Sequence, residues 1–480
     1  MRPGGVWATV RAVAQRRSPP CPAPRAPPHR LQTHRSAASR TERTGPSLWV
    51  WPAVAGLAAV AAGLLLTELA PARGSGAART LWPGDVAAAA ALLQTVATAA
   101  MATLTMAFSV TVVALQLASQ QFSPRLLRDF LRDRTIKWVL AVLVATISLA
   151  FTVLRRLDED ADPPASALFL VLLLAAASVA AIVVFIAHIT RLLRVDTMMT
   201  MVHDEAQRAI AIFYPDRDDP RPQDPDGRVP ADPGTTVPAT RGGFVRSIDV
   251  ATLVATARQA DVLVRVEARP GDHLASGTPL LTVWGADRGD PAGVDPDLHA
   301  ALAGTVDIGH ERTIEQDAGF GFRQLADIAV KALSPGINDP VTAAHAVGHM
   351  AELLVALTHC RLGPTLHLDD AGAGRAVVPD RDFRYYLDLA CGQVRRYGRR
   401  EPTVLIALLQ LCRDIAVQAE AREYGPELRR QVDLVLEEMS EELISVDREA
   451  VLDMARRVEQ ALDGRALEAY ADRSGETRSI

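Results

Sequence analysis

Apolar residues are spread very unevenly along this chain. Four long runs, Leu48 to Ala70, Asp85 to Leu117, Lys137 to Leu154 and Ser166 to Ile189, carry almost no charge. Each is long enough to cross a hydrocarbon core of about 30 Å at about 1.5 Å of helix rise per residue. Four such runs in close succession rarely share one water-soluble core, so they predict four transmembrane helices. From His188 to Phe213 the spacing stays helical but becomes one-sided, which predicts that the fourth helix continues out of the membrane.

The pattern then changes twice. Residues 214–240, "YPDRDDPRPQDPDGRVPADPGTTVPAT", form a solvated Pro/Asp linker. Beyond it, Val262, Val264 and Val266 alternate with Leu263, Arg265 and Glu267 as in a half-buried strand, and "RPGD" and "ASGT" mark turns. Residues 241–297 therefore predict a small β-rich module. It resembles the barrel-sandwich of biotinyl and lipoyl carriers, but those carriers need a lysine on an exposed hairpin. This segment has none, which excludes a swinging-arm role. Over residues 298–465 apolar positions recur three and four apart in five segments, predicting a helical bundle. Residues 1–47, with nine Arg and one Glu, and residues 466–480 show no such pattern and read as disordered tails. The expected fold is mainly α: four transmembrane helices (48–213), then a cytoplasmic barrel-sandwich-like β-module and an α-helical bundle.

Charge sets the orientation. Arg125, Arg128, Arg132, Arg134 and Lys137 lie between the second and third runs, and Arg191 and Arg194 follow the fourth. The opposite loops hold Arg73 with Arg79, and Arg155 with Arg156 diluted by four acidic residues. The positive-inside rule places both termini in the cytoplasm. The mean hydropathy of +0.10 and net charge of −5 average over these unequal parts and point to no nucleic-acid partner. The four cysteines, Cys21, Cys360, Cys391 and Cys412, form no C-x-x-C pair and read as reduced thiols.

The most unusual stretch is "KALSPGINDPVTAAHAVGHMAELL", which begins at Lys331. Ser334, Pro335 and Gly336 end one helix, and Asp339 before Pro340 starts the next, where proline's missing N–H costs nothing. Such a corner can simply cap two helices, or it can aim Ser334, Asn338 and free helix-start amides at an anion. Upstream, "HERTIEQDAGFGF" adds a polar cluster, so Arg312, Gln316, Asp317, Ser334, Asn338 and Asp339 are the candidate ligand-binding residues. In the second apolar run, Gln94, Thr98, Thr105, Ser109 and Gln116 fall within about 60° of one another on a helix turning about 100° per residue. That stripe serves helix packing or lines a water-filled path built from several copies. His345, His349 and Glu352 share a helix face but lack an H-E-x-x-H pattern or a further ligand, so no metal or cofactor is expected.

"ERTIEQDAGFGFRQLADIAVKALSPGINDPVTA" resembles the signature of domain-of-unknown-function family 2254, bacterial predicted integral membrane proteins. That family's R-T-x-x-Q-D block matches Arg312, Thr313, Gln316 and Asp317. Its A-L-S-P-G-I-N-D-P-x-T-A block matches Ala332 to Ala343, and its F-S-P-R-L-L segment matches Phe122 to Leu127. The resemblance implies membrane spans joined to a soluble half and implies no activity. Two functional readings remain open. One is an oligomeric channel- or transport-like protein with a cytoplasmic regulatory domain. The other is a membrane-anchored sensing or scaffolding protein that binds a small anion or partner protein at the SPGINDP corner. No nucleophile–base set marks an enzyme.

Overall fold

The computed structural model describes residues 49–68, 82, 84–121, 133–158, 163–192, 194–218, 225, 228–285, 296–418 and 423–471. The four apolar runs form α1 (Val50–Glu68), α2 (Val86–Gln121), α3 (Arg134–Arg155) and α4 (Ala165–Leu192). α1 meets α3 through Pro52, Gly56, Ala59 and Gly63, where a Cβ on Gly56 or Gly63 would stand 3.0 Å from Val144 or Thr152. Small residues are what allow membrane helices to approach this closely. Thr146 Oγ1 and Ser178 Oγ, 2.9 Å apart, tie α3 to α4. Leu57, Leu65, Phe169, Leu173, Val179 and Val183 face away from the bundle, as lipid-facing side chains do.

Contacts at the helix ends set the relative directions. Trp51 stacks on Trp138 at 6.3 Å between ring centroids, so α1 and α3 start on the same side. His188 Nε2 lies 2.9 Å from Asp133 Oδ2, so α4 ends on that side too. The fourth helix does not run on unbroken. Arg194 has an extended ψ of 129°, and a separate helix α5 (Val195–Phe213) begins after it.

Among the described residues eight strands follow: β1 (Thr235–Pro238), β2 (Gly243–Ile248), β3 (Leu263–Val266), β4 (His273–Leu274), β5 (Pro279–Trp284), β6 (Val306–Gly309), β7 (Thr365–Leu368) and β8 (Gly374–Val378). They make a five-stranded sheet of order β1-β5-β3-β8-β7 and a three-stranded sheet of order β4-β2-β6. A helix, α6 (Val250–Gln259), separates β2 from β3; Asp249 accepts from Thr252 N at its start and Leu253 and Ala257 are buried. Two expectations are corrected here. The linker's last residues are strand β1, paired with β5, and three strands come from beyond residue 297. β8 joins β3 in parallel, pairing Val264 with Ala376 and Arg265 with Val377, so the sheet draws on a segment beyond the expected module.

The remaining helices are α7 (Pro296–Ala303), α8 (Ala318–Ala332), α9 (Pro340–Thr358), α10 (Phe383–Gly398), α11 (Pro402–Ala416), α12 (Gly425–Glu438), α13 (Ser445–Leu462) and α14 (Ala466–Ala469). All of these but α7 pack around Phe322, Leu325, Met350, Leu354, Tyr386 and Leu408, which are almost wholly buried, while α7 sets Leu302 into the sheet core with Leu253 and Val306. α5 belongs to this core: a Cβ on Gly321 would stand 2.5 Å from Ala206 Cβ. Tyr470, expected in a tail, donates to Asp414 at 2.5 Å. Five helices of the described residues are long and apolar enough to cross a membrane: α1 to α4 and α9. The expected tail of residues 1–47 and the segment Phe122 to Leu127 lie outside the described residues.

Candidate functional site

Three polar turns converge where the sheets meet the helical core. The "RPGD" turn after β3 is closed by Asp272, which accepts from Arg269 N at 2.9 Å. Gly271 has φ +90°, and a Cβ there would press on the Asp317 carboxylate and stand 2.8 Å from Arg312 Nε. Only glycine permits both that backbone and that approach. Arg312 Nε donates to Asp317 Oδ2 at 2.6 Å, with side-chain exposures of 17% and 3%, and its guanidinium covers the Phe320 ring at 5.2 Å. From the third segment, Arg381 donates to Asp272 Oδ1 at 2.8 Å and stacks on Tyr385 at 4.3 Å. Behind them Tyr214 and Tyr386 share a hydrogen bond of 2.6 Å between hydroxyls.

Burial governs the protonation of this cluster. Desolvation lifts the Asp317 carboxyl despite the opposing pull of Arg312 and Arg381. Desolvation lifts Asp380 further, to about 7, against its hydrogen bond from Arg381 N and the charges of Arg381 and Arg269. Both phenols are pushed well above the usual tyrosine range by burial. The cluster is therefore three arginines, Arg269, Arg312 and Arg381, set against three aspartates of which one titrates near neutrality.

The candidate residues named from sequence do not form one pocket. Arg312 and Asp317 precede α8, while Ser334, Asn338 and Asp339 follow it, about 25 Å away at about 1.5 Å per residue. Gln316 does neither job. Its side chain clamps the end of β2, accepting from Ile248 N at 2.9 Å and donating to Ile248 O at 3.3 Å. At the corner, Ser334 donates to Lys331 O at 2.7 Å, and Asn338 takes φ +51° with its N–H on Ser334 O at 2.9 Å. Asp339 caps α9 through Thr342 N at 3.0 Å and Thr342 Oγ1 at 2.6 Å, hydrogen bonds that lower its carboxyl pKa. Ser334 and Asp339 use their side chains, and Asn338 its backbone, to end α8 and start α9.

The family model for a predicted membrane protein, domain-of-unknown-function 2254, matches residues 46–414. The chain belongs to this family. Two uncharacterised proteins, from Mycobacterium bovis and Mycobacterium tuberculosis, are each 33% identical over 426 residues, covering 87% of this chain and 81% of the relative. No solved structure matches.

In this family member the two sequence blocks that carry the likeness stand at opposite ends of α8, one in the buried cluster and one at an exposed corner. Asp380, Arg381, Tyr214 and Asp272 were not singled out by spacing, because they enter from distant segments; the "RPGD" turn alone hinted at one of them. The stripe residues Gln94, Thr98, Thr105, Ser109 and Gln116 are all exposed on α2, away from α1, α3 and α4. Thr105 and Ser109 donate to the carbonyls of Met101 and Thr105, each at 3.0 Å. His349 instead pairs with buried His203 of α5, at 5.1 Å between ring centroids, while Glu352 lies 3.4 Å from His203. Among the described residues no group of three His, Cys, Asp or Glu side chains could hold a metal. Burial lifts the Cys360 and Cys391 thiols to about 12, which makes them poor nucleophiles.

Proposed function

We propose that the protein is an oligomeric channel- or transport-like membrane protein of the bacterial plasma membrane, with both termini and the soluble half in the cytoplasm. The observation that carries this reading is the exposed α2 stripe. Among the described residues its side chains stand exposed, and Ala87 with Ala91, Thr98 with Ala102, and Thr105 with Ser109 repeat small residues four apart along it. Such a face suits a second copy of the same helix. Gln94 and Gln116 lie about 33 Å apart along the helix at about 1.5 Å per residue, close to the two boundaries of a hydrocarbon core. Between them, Thr105 and Ser109 spend their hydrogens on their own helix and offer oxygen lone pairs outward, a lining that suits water or a cation better than an anion.

Four spans fit this reading better than five. α9 is apolar but carries His345, His349 and Glu352 and packs inside the helical core with α8, α10 and α11. The mass of the detergent-solubilised full chain tests assembly, and conductance in planar bilayers tests the path. A closed ring whose conductance changes on Thr105→Val or Gln116→Leu is the expected outcome. A monomer, or a conductance indifferent to both changes, overturns the reading. The alternative, an anion or partner held jointly by Arg312 and the SPGINDP corner, is disfavoured by the length of α8 between them.

A further inference from the structure

The SPGINDP corner has a place relative to the membrane that its sequence does not announce. α5 begins a few residues after α4 ends, so Val195 lies close to the bilayer boundary marked by Trp51, Trp138 and the His188–Asp133 pair. α5 and α9 then run side by side in the same direction. His203 meets His349, and further along Arg217 N donates to His359 O at 3.0 Å and Arg361 N to Pro215 O at 2.9 Å. His203 is about 12 Å from the start of α5 and His349 about 13 Å from the start of α9, at about 1.5 Å per residue. The start of α9, which is the corner itself, is therefore level with Val195, where the chain has just left the fourth span.

Other segments end at the same level. α10 runs parallel to α8, with Phe322 and Tyr386 rings 5.6 Å apart near their starts. At their far ends a Cβ on Gly398 would be 3.5 Å from Leu333. Ser440 N donates to Arg399 O at 3.0 Å, which brings the turn between α12 and α13 there too. This end of the soluble half is unusually apolar at its surface. Ile337, Val341, Tyr397, Ile444 and Val446 are 48%, 47%, 60%, 65% and 69% exposed. Arg396 and Arg399 are exposed among them, and Arg400 pairs with Glu442 at 3.1 Å.

We propose that this end rests on the leaflet from which α4 emerges, with Ile337, Val341, Tyr397 and Ile444 in the headgroup–acyl boundary and Arg399 at lipid phosphates. The occupant is the bilayer rather than another protein because the patch is continuous in level with the point where the chain leaves the membrane. Apolar tips among arginine and glutamate, here Arg396 and Arg399 with Glu441 and Glu442, suit the headgroup layer of a zwitterionic bilayer. The corner's two prolines and its capped Asp339 then have a mechanical role: they hold Ile337 and Val341 outward on a rigid turn. This inference is independent of the oligomer reading.

The test uses the full chain with Cys21→Ser, the three other cysteines being buried. Ile337→Cys, Ile444→Cys and, as control, Ile212→Cys are labelled with an environment-sensitive fluorophore in nanodiscs holding one protomer. Ile212 is 53% exposed and sits at the opposite end of α5. Lipids bearing a shallow nitroxide are expected to quench the labels at Ile337 and Ile444 several-fold more than the label at Ile212. Equal, weak quenching at all three positions overturns the proposal. So does protection that develops only in discs holding two protomers, which would assign the patch to a second copy.

Discussion

Gly271 and Asp317 lie in van der Waals contact although 46 residues of chain separate them, and a Cβ on the glycine would overlap the carboxylate. The "RPGD" turn is thereby seated on the Arg312–Asp317 pair. Gly271→Ala must both strain a backbone at φ +90° and displace a buried ionic group. A loss of roughly 2–4 kcal/mol is expected from those two mechanisms together. Thermal unfolding of the full chain checks it; a midpoint equal to that of the parent would show that the turn moves away without cost.

The Arg312–Asp317 pair itself is almost out of water. Arg312→Leu leaves the Asp317 carboxylate buried without its closest partner and is expected to cost about 3–5 kcal/mol, as broken buried pairs do. The double variant Arg312→Leu with Asp317→Leu is expected to regain most of that loss, since no charge is then stranded. If the double variant is worse than the single one, the pair is required for more than neutralising itself.

Asp380 makes the cluster sensitive to pH. Its folded-state pKa of about 7 lies above the ordinary 3.8, so between those values the folded chain binds more protons than the unfolded chain. Its contribution to stability is present at low pH and is lost as pH rises toward and through 7. Asp380→Asn keeps the neutral shape and is expected to flatten that part of the stability–pH curve and to be the more stable protein at pH 8. An unchanged slope between pH 5 and 8 would place the titration elsewhere.

His349 acts in the opposite sense. Burial, then the neighbouring His203, lowers its pKa below 6.5, so the unfolded chain takes up the proton first and stability falls with acid below about that pH. Because the two rings join α5 to α9, acidification is expected to loosen the helix that follows the membrane span. Hydrogen exchange in α5 at pH 5.5 against pH 7.5 reads this directly, and His349→Gln is expected to abolish the difference.

Packing of α5 on α8 depends on Gly321 in the same way. Its would-be Cβ stands 2.5 Å from Ala206 Cβ, a short side chain that cannot rotate aside. Gly321→Val is expected to cost about 1–3 kcal/mol by overpacking, with Ala206→Gly restoring part of it. Failure of that rescue would mean that the two helices part rather than repack.

Much of this architecture is local and was readable in advance. The four apolar runs, the one-sided α5, the Pro–Gly stop after α8 and the Asp339–Pro340 start of α9 depend on residues within a turn or two of one another. Hydrophobic period, proline and capping chemistry therefore determined them. The family likeness was legible for the same reason, since its two blocks are contiguous. Tertiary structure decided what no spacing encodes: that β7 and β8 complete a sheet begun at Thr235, and that Asp272, Asp317 and Asp380 gather around Arg381. It also separated Arg312 from Asn338, because a straight helix of fifteen residues holds its ends apart however close they look in sequence. Sequence determines which segment becomes a helix; only packing determines which ends of which helices stand together, and here that juxtaposition defines both the buried cluster and the end of the helical core that carries the SPGINDP corner.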